Sequence, residues 1–206
     1  MKSYYLTQIK LNDSRRSTWN LLGELEPLHA LVMKMFPNDP GRILWRLDKN
    51  YEGPVLYILS ADVPDATGVV EQFGWPRLDY QQQVRTVDLT KFFESIREGD
   101  RYGFRIAINP VRNNGRTGKN TLIVGKRALD LVRDRLDANG FHVEEVRQAD
   151  EAHNLLCKNG RKTVRVITSF EGILSVTDPE KAVQTLVNGV GRMKAYGAGL
   201  LTLARI

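Results

Sequence analysis

The chain has 206 residues, a formal net charge of +6, one cysteine and three histidines. Its length allows one domain or two small domains of about 100 residues each. The single cysteine excludes an internal disulfide, and the scattered histidines lack the spacing of a structural zinc site. No apolar run approaches the roughly 18 residues of a membrane helix, and the N-terminus carries no secretory signal. We therefore expect a cytoplasmic protein without membrane contact.

The first half of the sequence predicts elements in the order strand, helix, strand, strand, weak helix, strand. The predicted elements are a strand Ser3–Leu11, a helix from about Pro27 with a short one before it, hairpin strands Ile43–Leu47 and Val55–Leu59, a short helix within Pro64–Val70 and a weak strand Gln81–Leu89. The helix is expected to begin near Pro27 because proline is tolerated in the first helical turn but not in the interior. This order of elements is ferredoxin-like.

The second half repeats this order after a linker at Thr90–Asp100. The predicted elements are a strand Tyr102–Asn109, a loop Val111–Thr121, a helix from Lys126, a strand Phe141–Arg147, a hairpin around Asn159-Gly160 with a strand continuing to Val176, a helix capped by Asp178, and a last strand Leu200–Leu203. We predict an α+β fold of two tandem ferredoxin-like (RRM-like) domains, residues 1–90 and 91–206. The second domain carries an added basic β-hairpin.

The segment from Asn188 to Leu203 consists of a glycine-rich loop followed by the last predicted strand. It contains two cations and four glycines, namely Arg192, Lys194, Gly189, Gly191, Gly197 and Gly199. Successive backbone N–H groups in such a loop can form an anion-binding concavity. A dinucleotide fingerprint is disfavoured, because that motif follows a strand and opens a helix, whereas here a helix precedes the loop. Two alternatives remain: a turn that needs glycine only for its backbone angles, and a loop that holds a polynucleotide backbone.

Positive charge is segregated in two further places. The segment from Arg101 to Arg127 contains Arg101, Arg105, Arg112, Arg116, Lys119, Lys126 and Arg127 with no acid between them. The predicted hairpin carries Lys158, Arg161, Lys162 and Arg165. A two-stranded ribbon with a cationic tip can enter a nucleic-acid groove, although an ordinary exposed turn with solubilising charge explains the same pattern.

His29 is the one histidine on a predicted helix, at the flank of the apolar stripe formed by Leu25, Leu28 and Val32. It is either a histidine at the edge of the core or a functional group. If the helix begins at Pro27, His29 lies in the first turn, where the helix dipole disfavours a protonated imidazole. A neutral histidine can act as a general acid or base.

These residues resemble a known family. The segment Gly189 to Leu203 resembles the C-terminal signature of the CRISPR repeat endoribonucleases, in particular the CasE family of type I-E systems. Three further segments match in order along the chain: Leu28-His29 with Phe36-Pro37, Arg105 to Pro110, and Phe170-Glu171-Gly172.

The resemblance implies an endoribonuclease of antiviral defence that cuts precursor CRISPR RNA within the repeat, at the base of its hairpin. The ribose 2′-hydroxyl attacks the adjacent phosphate and leaves a cyclic phosphate, without a metal or another cofactor. The protein stays bound to its product together with other Cascade subunits. His29 is implied as the proton-transfer residue. The RNA-binding residues are expected to be Arg105, Arg112, Lys119, Lys126, Lys158, Arg161, Lys162, Arg165, Gly189, Gly191, Arg192, Lys194, Gly197 and Gly199.

One position departs from the family pattern. Some members carry a tyrosine three residues before the histidine, where this chain has Glu26. A carboxylate cannot act as a phenol would, so either His29 works largely alone or another donor helps it. This departure favours an alternative function, an RNA-hairpin-binding scaffold subunit that is catalytically weak or inactive. An enzyme that binds a nucleotide at the glycine-rich loop is the third alternative.

Overall fold

The computed structural model describes residues 2–39, 41–113, 115, 120–158 and 161–206. The chain divides into two compact units. Unit 1 comprises Met1–Ser95, Leu155–Thr163 and Ala195–Gly197, and unit 2 comprises Ile96–Asn154, Val164–Lys194 and Ala198–Ile206.

Unit 1 contains a four-stranded antiparallel sheet with helices. Its elements are β1 (Tyr5–Lys10), α1 (Arg16–Gly23), α2 (Leu25–Lys34), β2 (Leu44–Asn50), β3 (Gly53–Ser60), α3 (Thr67–Phe73), α4 (Tyr80–Gln83), β4 (Val84–Asp88) and α5 (Thr90–Ser95). The strands are ordered β2-β3-β1-β4, so the first and third strands lie in the centre. Ile9, Leu56 and Ile58 from the two central strands are fully buried, and they pack with Leu28 and Val32 of α2.

Helix α2 begins at Leu25, two residues before the predicted start, and α1 is the predicted short helix before it. Pro27 is the third residue of α2, where the backbone N–H that proline lacks would have no intrahelical acceptor. His29 is therefore the fifth residue of the helix and lies beyond its first turn, so the argument from the helix dipole does not apply to it.

The second four-stranded sheet belongs to the later part of the chain. The elements there are β5 (Arg101–Ile108), β6 (Val111–Asn113), β7 (Asn120–Leu122), α6 (Lys126–Asp137), β8 (Phe141–Lys158), β9 (Arg161–Val176), α7 (Pro179–Asn188), a 3-10 turn (Lys194–Tyr196) and β10 (Leu201–Arg205). Most of these residues form unit 2, whereas the end of β8, the start of β9 and most of the 3-10 turn belong to unit 1. The strand order β10-β5-β9-β8 again places the first and third strands of the repeat in the centre. The predicted tandem ferredoxin-like α+β fold is confirmed.

The residues at the start of α7 explain why this helix begins there. The Asp178 carboxylate accepts a hydrogen bond of 3.0 Å from the backbone N–H of Lys181, and Pro179 occupies the first helical position of α7.

β9 pairs with β5 from Thr168 to Ser175 and extends beyond that pairing toward Arg161. This extension corresponds to the predicted basic hairpin, whose turn residues Asn159-Gly160 lie outside the described residues.

Three predicted elements were wrong in detail. The ends of the loop Val111–Thr121 pair as the short strands β6 and β7, because backbone pairing needs no apolar face. The first residues of Gln81–Leu89 belong to α4, where Asp79 and Gln82 form a capping box. The strand predicted at Phe141–Arg147 does not end there but continues as one strand, β8, to Lys158, where the predicted hairpin turn begins.

In the part of the chain that the structure describes, no helix has the length and apolar character required to cross a membrane.

A buried ion pair in β2 generates the first prediction. The Arg46 guanidinium donates two hydrogen bonds to Asp48, of 2.8 and 2.9 Å, and the two side chains are only 3% and 5% exposed. Arg46→Met leaves the buried carboxylate without these donors, so we expect the free energy of unfolding to fall by about 3–5 kcal/mol. Chemical denaturation followed by tryptophan fluorescence measures this loss.

The matched control is Lys10→Met, which removes the ion pair between Lys10 and Glu52. The Lys10 and Glu52 side chains are 36% and 79% exposed, so this change should cost less than about 1 kcal/mol. Equal losses for the two variants would contradict a structural role of the buried pair.

Candidate active site and nucleic-acid interface

His29 is partly exposed on α2, and its imidazole packs against the ring of Tyr196. The two ring centroids lie 5.5 Å apart, with an angle of 58° between the ring planes. His29 Nδ1 is buried and has no hydrogen-bond partner among the described residues. Packing against the tyrosine ring therefore contributes to holding this imidazole in place.

Tyr196 connects His29 to Glu26. Its phenol donates a hydrogen bond of 2.8 Å to Glu26 Oε1, and Glu26 lies one helical turn before His29 on α2. The hydrogen bond to Glu26 raises the pKa of the Tyr196 phenol, and burial and the negative charge of Glu26 raise it further. Because Ala195–Gly197 belongs to unit 1, all three side chains lie within one compact unit.

Tyr196 was not predicted as a site residue from the sequence. The phenol comes from the glycine-rich loop and contacts a carboxylate 170 positions earlier in the chain. The sequence offered one indication of this contact. Glu26 lies beside the candidate histidine, and a carboxylate there requires a hydrogen-bond donor from elsewhere in the chain. The structure places a phenol against the position where the sequence lacks one.

Trp45 fixes the course of the loop at this point. Its indole Nε1–H donates a hydrogen bond of 3.0 Å to the carbonyl oxygen of Ala195. Gly197 has a φ of +81°, and a Cβ atom at this position would lie 2.5 Å from Cζ3 of the Trp45 ring. Glycine is thus required here both for its backbone angle and for the close approach of the indole.

Much of the remaining loop backbone is hydrogen-bonded within unit 2. Four amides donate to carbonyl oxygens of the chain: Gly189 to Thr185, Val190 to Gly199, Ala198 to Met193, and Gly199 to Ala107. These four N–H groups are therefore engaged within the chain in this structure. Part of the glycine content serves the turn itself, as the first of the two alternatives predicted.

Two arginines provide positive charge at the loop in unit 2. Arg192 is exposed, and its Nη1 donates a hydrogen bond of 3.0 Å to Asn120 Oδ1. Arg135 of α6 has a buried Nη1 with no hydrogen-bond partner among the described residues, 2.9 Å from where a Cβ of Gly191 would lie. Burial lowers the pKa of Arg135, and the charge of Arg192 lowers it further. A bound anion at this place would favour the charged form of Arg135. Arg135 was not predicted from the sequence.

Arg105 is paired with an acid of the chain. Its Nη1 lies 2.9 Å from Glu171 Oε2, and Arg147 pairs with the other oxygen of the same carboxylate. A phosphate at Arg105 would compete with an acid that the chain itself supplies.

The other predicted cations are distributed as follows. Arg112 on β6, Lys126 at the start of α6, and Lys162 and Arg165 on β9 are exposed, and Lys194 is partly buried. Lys119 and the side chains of Lys158 and Arg161 lie outside the described residues. Within the described ranges, no group of three or more His, Cys, Asp or Glu side chains is arranged to hold a metal ion.

Comparison with known proteins identifies the family. The CRISPR associated protein family matches residues 4–205. The chain belongs to this family. The match covers both units, and the resemblance inferred from the sequence motifs is confirmed.

Relatives and solved structures agree with this membership. The CRISPR-associated endoribonuclease Cse3 of Thermus thermophilus is 28% identical over 219 residues, covering 97% of this chain and 99% of the relative. The CRISPR system Cascade subunit CasE of Escherichia coli is 24% identical over 205 residues, covering 88% and 92%. A structure of Cse3 bound to a 19-nucleotide RNA matches with a TM-score of 0.78 and 26% identity, covering 98% and 99% of the two chains.

The contact between Gly197 and Trp45 generates the second prediction. Gly197→Ala places a methyl group against the indole. It also destabilises the fold because alanine, unlike glycine, is strained at a positive φ. Gly99→Ala is the matched control, because Gly99 has a φ of +84° and no atom within 4 Å of the added Cβ. We expect Gly99→Ala to cost about 1–2 kcal/mol and Gly197→Ala to cost clearly more. Chemical denaturation of both variants tests this, and equal losses would contradict the packing role of Trp45.

Proposed function

We propose that this protein is a metal-independent endoribonuclease that cleaves precursor CRISPR RNA within the repeat, at the base of the repeat hairpin. Support comes from its membership of the family over residues 4–205 and from a full-length relative named as an endoribonuclease. The single structural observation that carries the proposal is the partly exposed imidazole of His29 beside a phenol. This pair offers two groups that can move protons, which is the chemical requirement for cleaving an RNA phosphodiester.

The proposed reaction uses the RNA's own 2′-hydroxyl as nucleophile. His29 takes part in proton transfer while the 2′-oxygen attacks the adjacent phosphorus and the bond to the 5′-oxygen breaks. The products are a 2′,3′-cyclic phosphate and a free 5′-hydroxyl. General acid–base catalysis of this kind contributes about 10²–10⁴-fold to a rate.

The proposed RNA contacts are the cations described above. Exposed Lys162 and Arg165 on the β9 extension would contact the hairpin, and Arg192 with Arg135 would contact the backbone phosphates. The remaining predicted contacts, among them Lys119, Lys158, Arg161 and the loop glycines, stay predictions. Retention of the cleaved RNA would make a single turnover sufficient.

We propose that the protein acts in the cytoplasm with the other subunits of a Cascade-type complex, because a relative is named as a Cascade subunit. The predicted domain boundary between residues 90 and 91 stays a prediction, and limited proteolysis with mass spectrometry of the fragments would test it.

The third prediction concerns cleavage. Single-turnover incubation of a repeat-hairpin RNA in excess EDTA should give one cut at the hairpin base, and a 2′-deoxy substitution at the scissile nucleotide should abolish it. His29→Ala should lose at least about 100-fold in rate and retain RNA affinity. Gel analysis of labelled RNA measures the rate, and filter binding measures the affinity.

His142→Ala is the control, because it removes an exposed histidine of unit 2 and should leave cleavage unchanged. Cleavage that requires added magnesium, or that survives the 2′-deoxy substitution, would contradict the mechanism. Tight binding with intact RNA after long incubation would instead favour the scaffold alternative, which the carboxylate of Glu26 motivated.

The fourth prediction concerns RNA affinity. Each phosphate contact that is removed should reduce the slope of log affinity against log salt by roughly 0.7–0.9. We expect this change for Lys162→Ala and Arg165→Ala, measured by filter binding over a series of salt concentrations. Lys181→Ala, which removes an exposed cation of α7, is the control and should leave the slope unchanged.

A further inference from the structure

We propose that Tyr196 is the general acid of the cleavage reaction, donating its phenolic proton to the 5′-oxygen that leaves the phosphorus. This inference rests on the proposed endoribonuclease function. It assigns a second catalytic residue, which the sequence did not identify.

The reaction requires two proton transfers at opposite sides of one phosphorus. His29 accepts the proton of the 2′-hydroxyl as the bond from the 2′-oxygen to phosphorus forms. As the bond from phosphorus to the 5′-oxygen breaks, that oxygen takes the proton of the Tyr196 phenol. The step leaves an imidazolium and a phenolate, and transfer of one proton from His29 back to Tyr196 through solvent restores both groups.

The geometry supports a shared site for these two transfers. The rings of His29 and Tyr196 are in contact at a centroid distance of 5.5 Å, and both side chains are partly exposed. The proposal places a single phosphate group within reach of both side chains. The loop that carries the phenol is held by the hydrogen bond from Trp45 to Ala195 and by the close packing at Gly197. A fixed donor of this kind reduces the reorganisation required for catalysis.

Glu26 keeps the phenol in place before RNA binds. Its carboxylate accepts a hydrogen bond of 2.8 Å from the phenol, and a phenolic O–H can rotate about its C–O bond toward a new acceptor. A tyrosine phenol is protonated at neutral pH and the shift of the Tyr196 pKa is upward, so the group is present as a donor and not as a base. Glu26 is a positioning residue in this scheme.

The fifth prediction tests the acid role directly. Tyr196→Phe retains the ring that packs on His29 and removes only the hydroxyl. We expect it to slow cleavage of repeat RNA by about 100-fold or more at unchanged RNA affinity. On an RNA in which sulfur replaces the scissile 5′-oxygen, Tyr196→Phe should cleave within a few-fold of the unsubstituted protein, because a thiolate leaves without protonation. His29→Ala should remain slow on both RNAs.

Tyr102→Phe is the matched control. The Tyr102 phenol also donates to a carboxylate, Asp100 Oδ2 at 3.0 Å, and its pKa is also raised, chiefly by burial, but it lies in unit 2. This variant should cleave both RNAs normally. Glu26→Gln retains an acceptor oxygen for the phenol but loses the carboxylate charge that positions it, so it should lose less activity than Tyr196→Phe on the oxygen substrate.

The outcomes separate this inference from the proposed function. Equal losses for Tyr196→Phe on the two RNAs, or full activity of this variant on the oxygen substrate, would overturn the assignment while leaving the nuclease function intact. If Glu26→Gln loses as much activity as Tyr196→Phe, Glu26 and not Tyr196 transfers the proton, and the assignment of Tyr196 as the general acid is overturned as well. A protein without substitutions that leaves both RNAs intact would overturn the proposed function itself.

Discussion

The contact between Trp45 and residues 195–197 is the constraint on which the candidate active site depends. A hydrogen bond from the indole to Ala195 and the absence of a side chain at Gly197 allow the loop to lie directly against the ring. The residue between these two contacts is Tyr196, whose phenol reaches Glu26 and whose ring reaches His29. A loop displaced from the indole would lose both of these contacts, and His29 would then lack the neighbouring phenol.

The contact with Trp45 gives the loop glycines a different role from the one that the sequence suggested. Their number and their neighbouring cations suggested a backbone cradle for phosphate, but four of the loop amides donate to carbonyl oxygens of the chain. Gly197 permits a close approach to Trp45 and so helps to position the neighbouring side chain of Tyr196. Positive charge beside the loop comes from Arg192 and Arg135, and Nη1 of Arg135 is buried without a partner among the described residues.

The parts of the fold that depend on local interactions could be predicted from the sequence. Asp178 with Pro179 marked the start of α7, and alternation along the chain marked β1 and β5, one central strand of each sheet. Elements without an apolar pattern, such as β6 and β7, were missed because their pairing depends on backbone hydrogen bonds alone. His29 could be selected from its helix and the family motif. Tyr196 could not, because its partner is 170 positions away and no local pattern encodes that contact.

The chemistry of the product ends tests the central claim most directly. Mass spectrometry of both fragments from a repeat RNA cut in EDTA identifies the atom that attacked the phosphorus. The proposed mechanism predicts a 2′,3′-cyclic phosphate on the upstream fragment and a 5′-hydroxyl on the downstream fragment. A 3′-hydroxyl with a 5′-phosphate would show attack by water and would contradict the roles given to His29 and Tyr196.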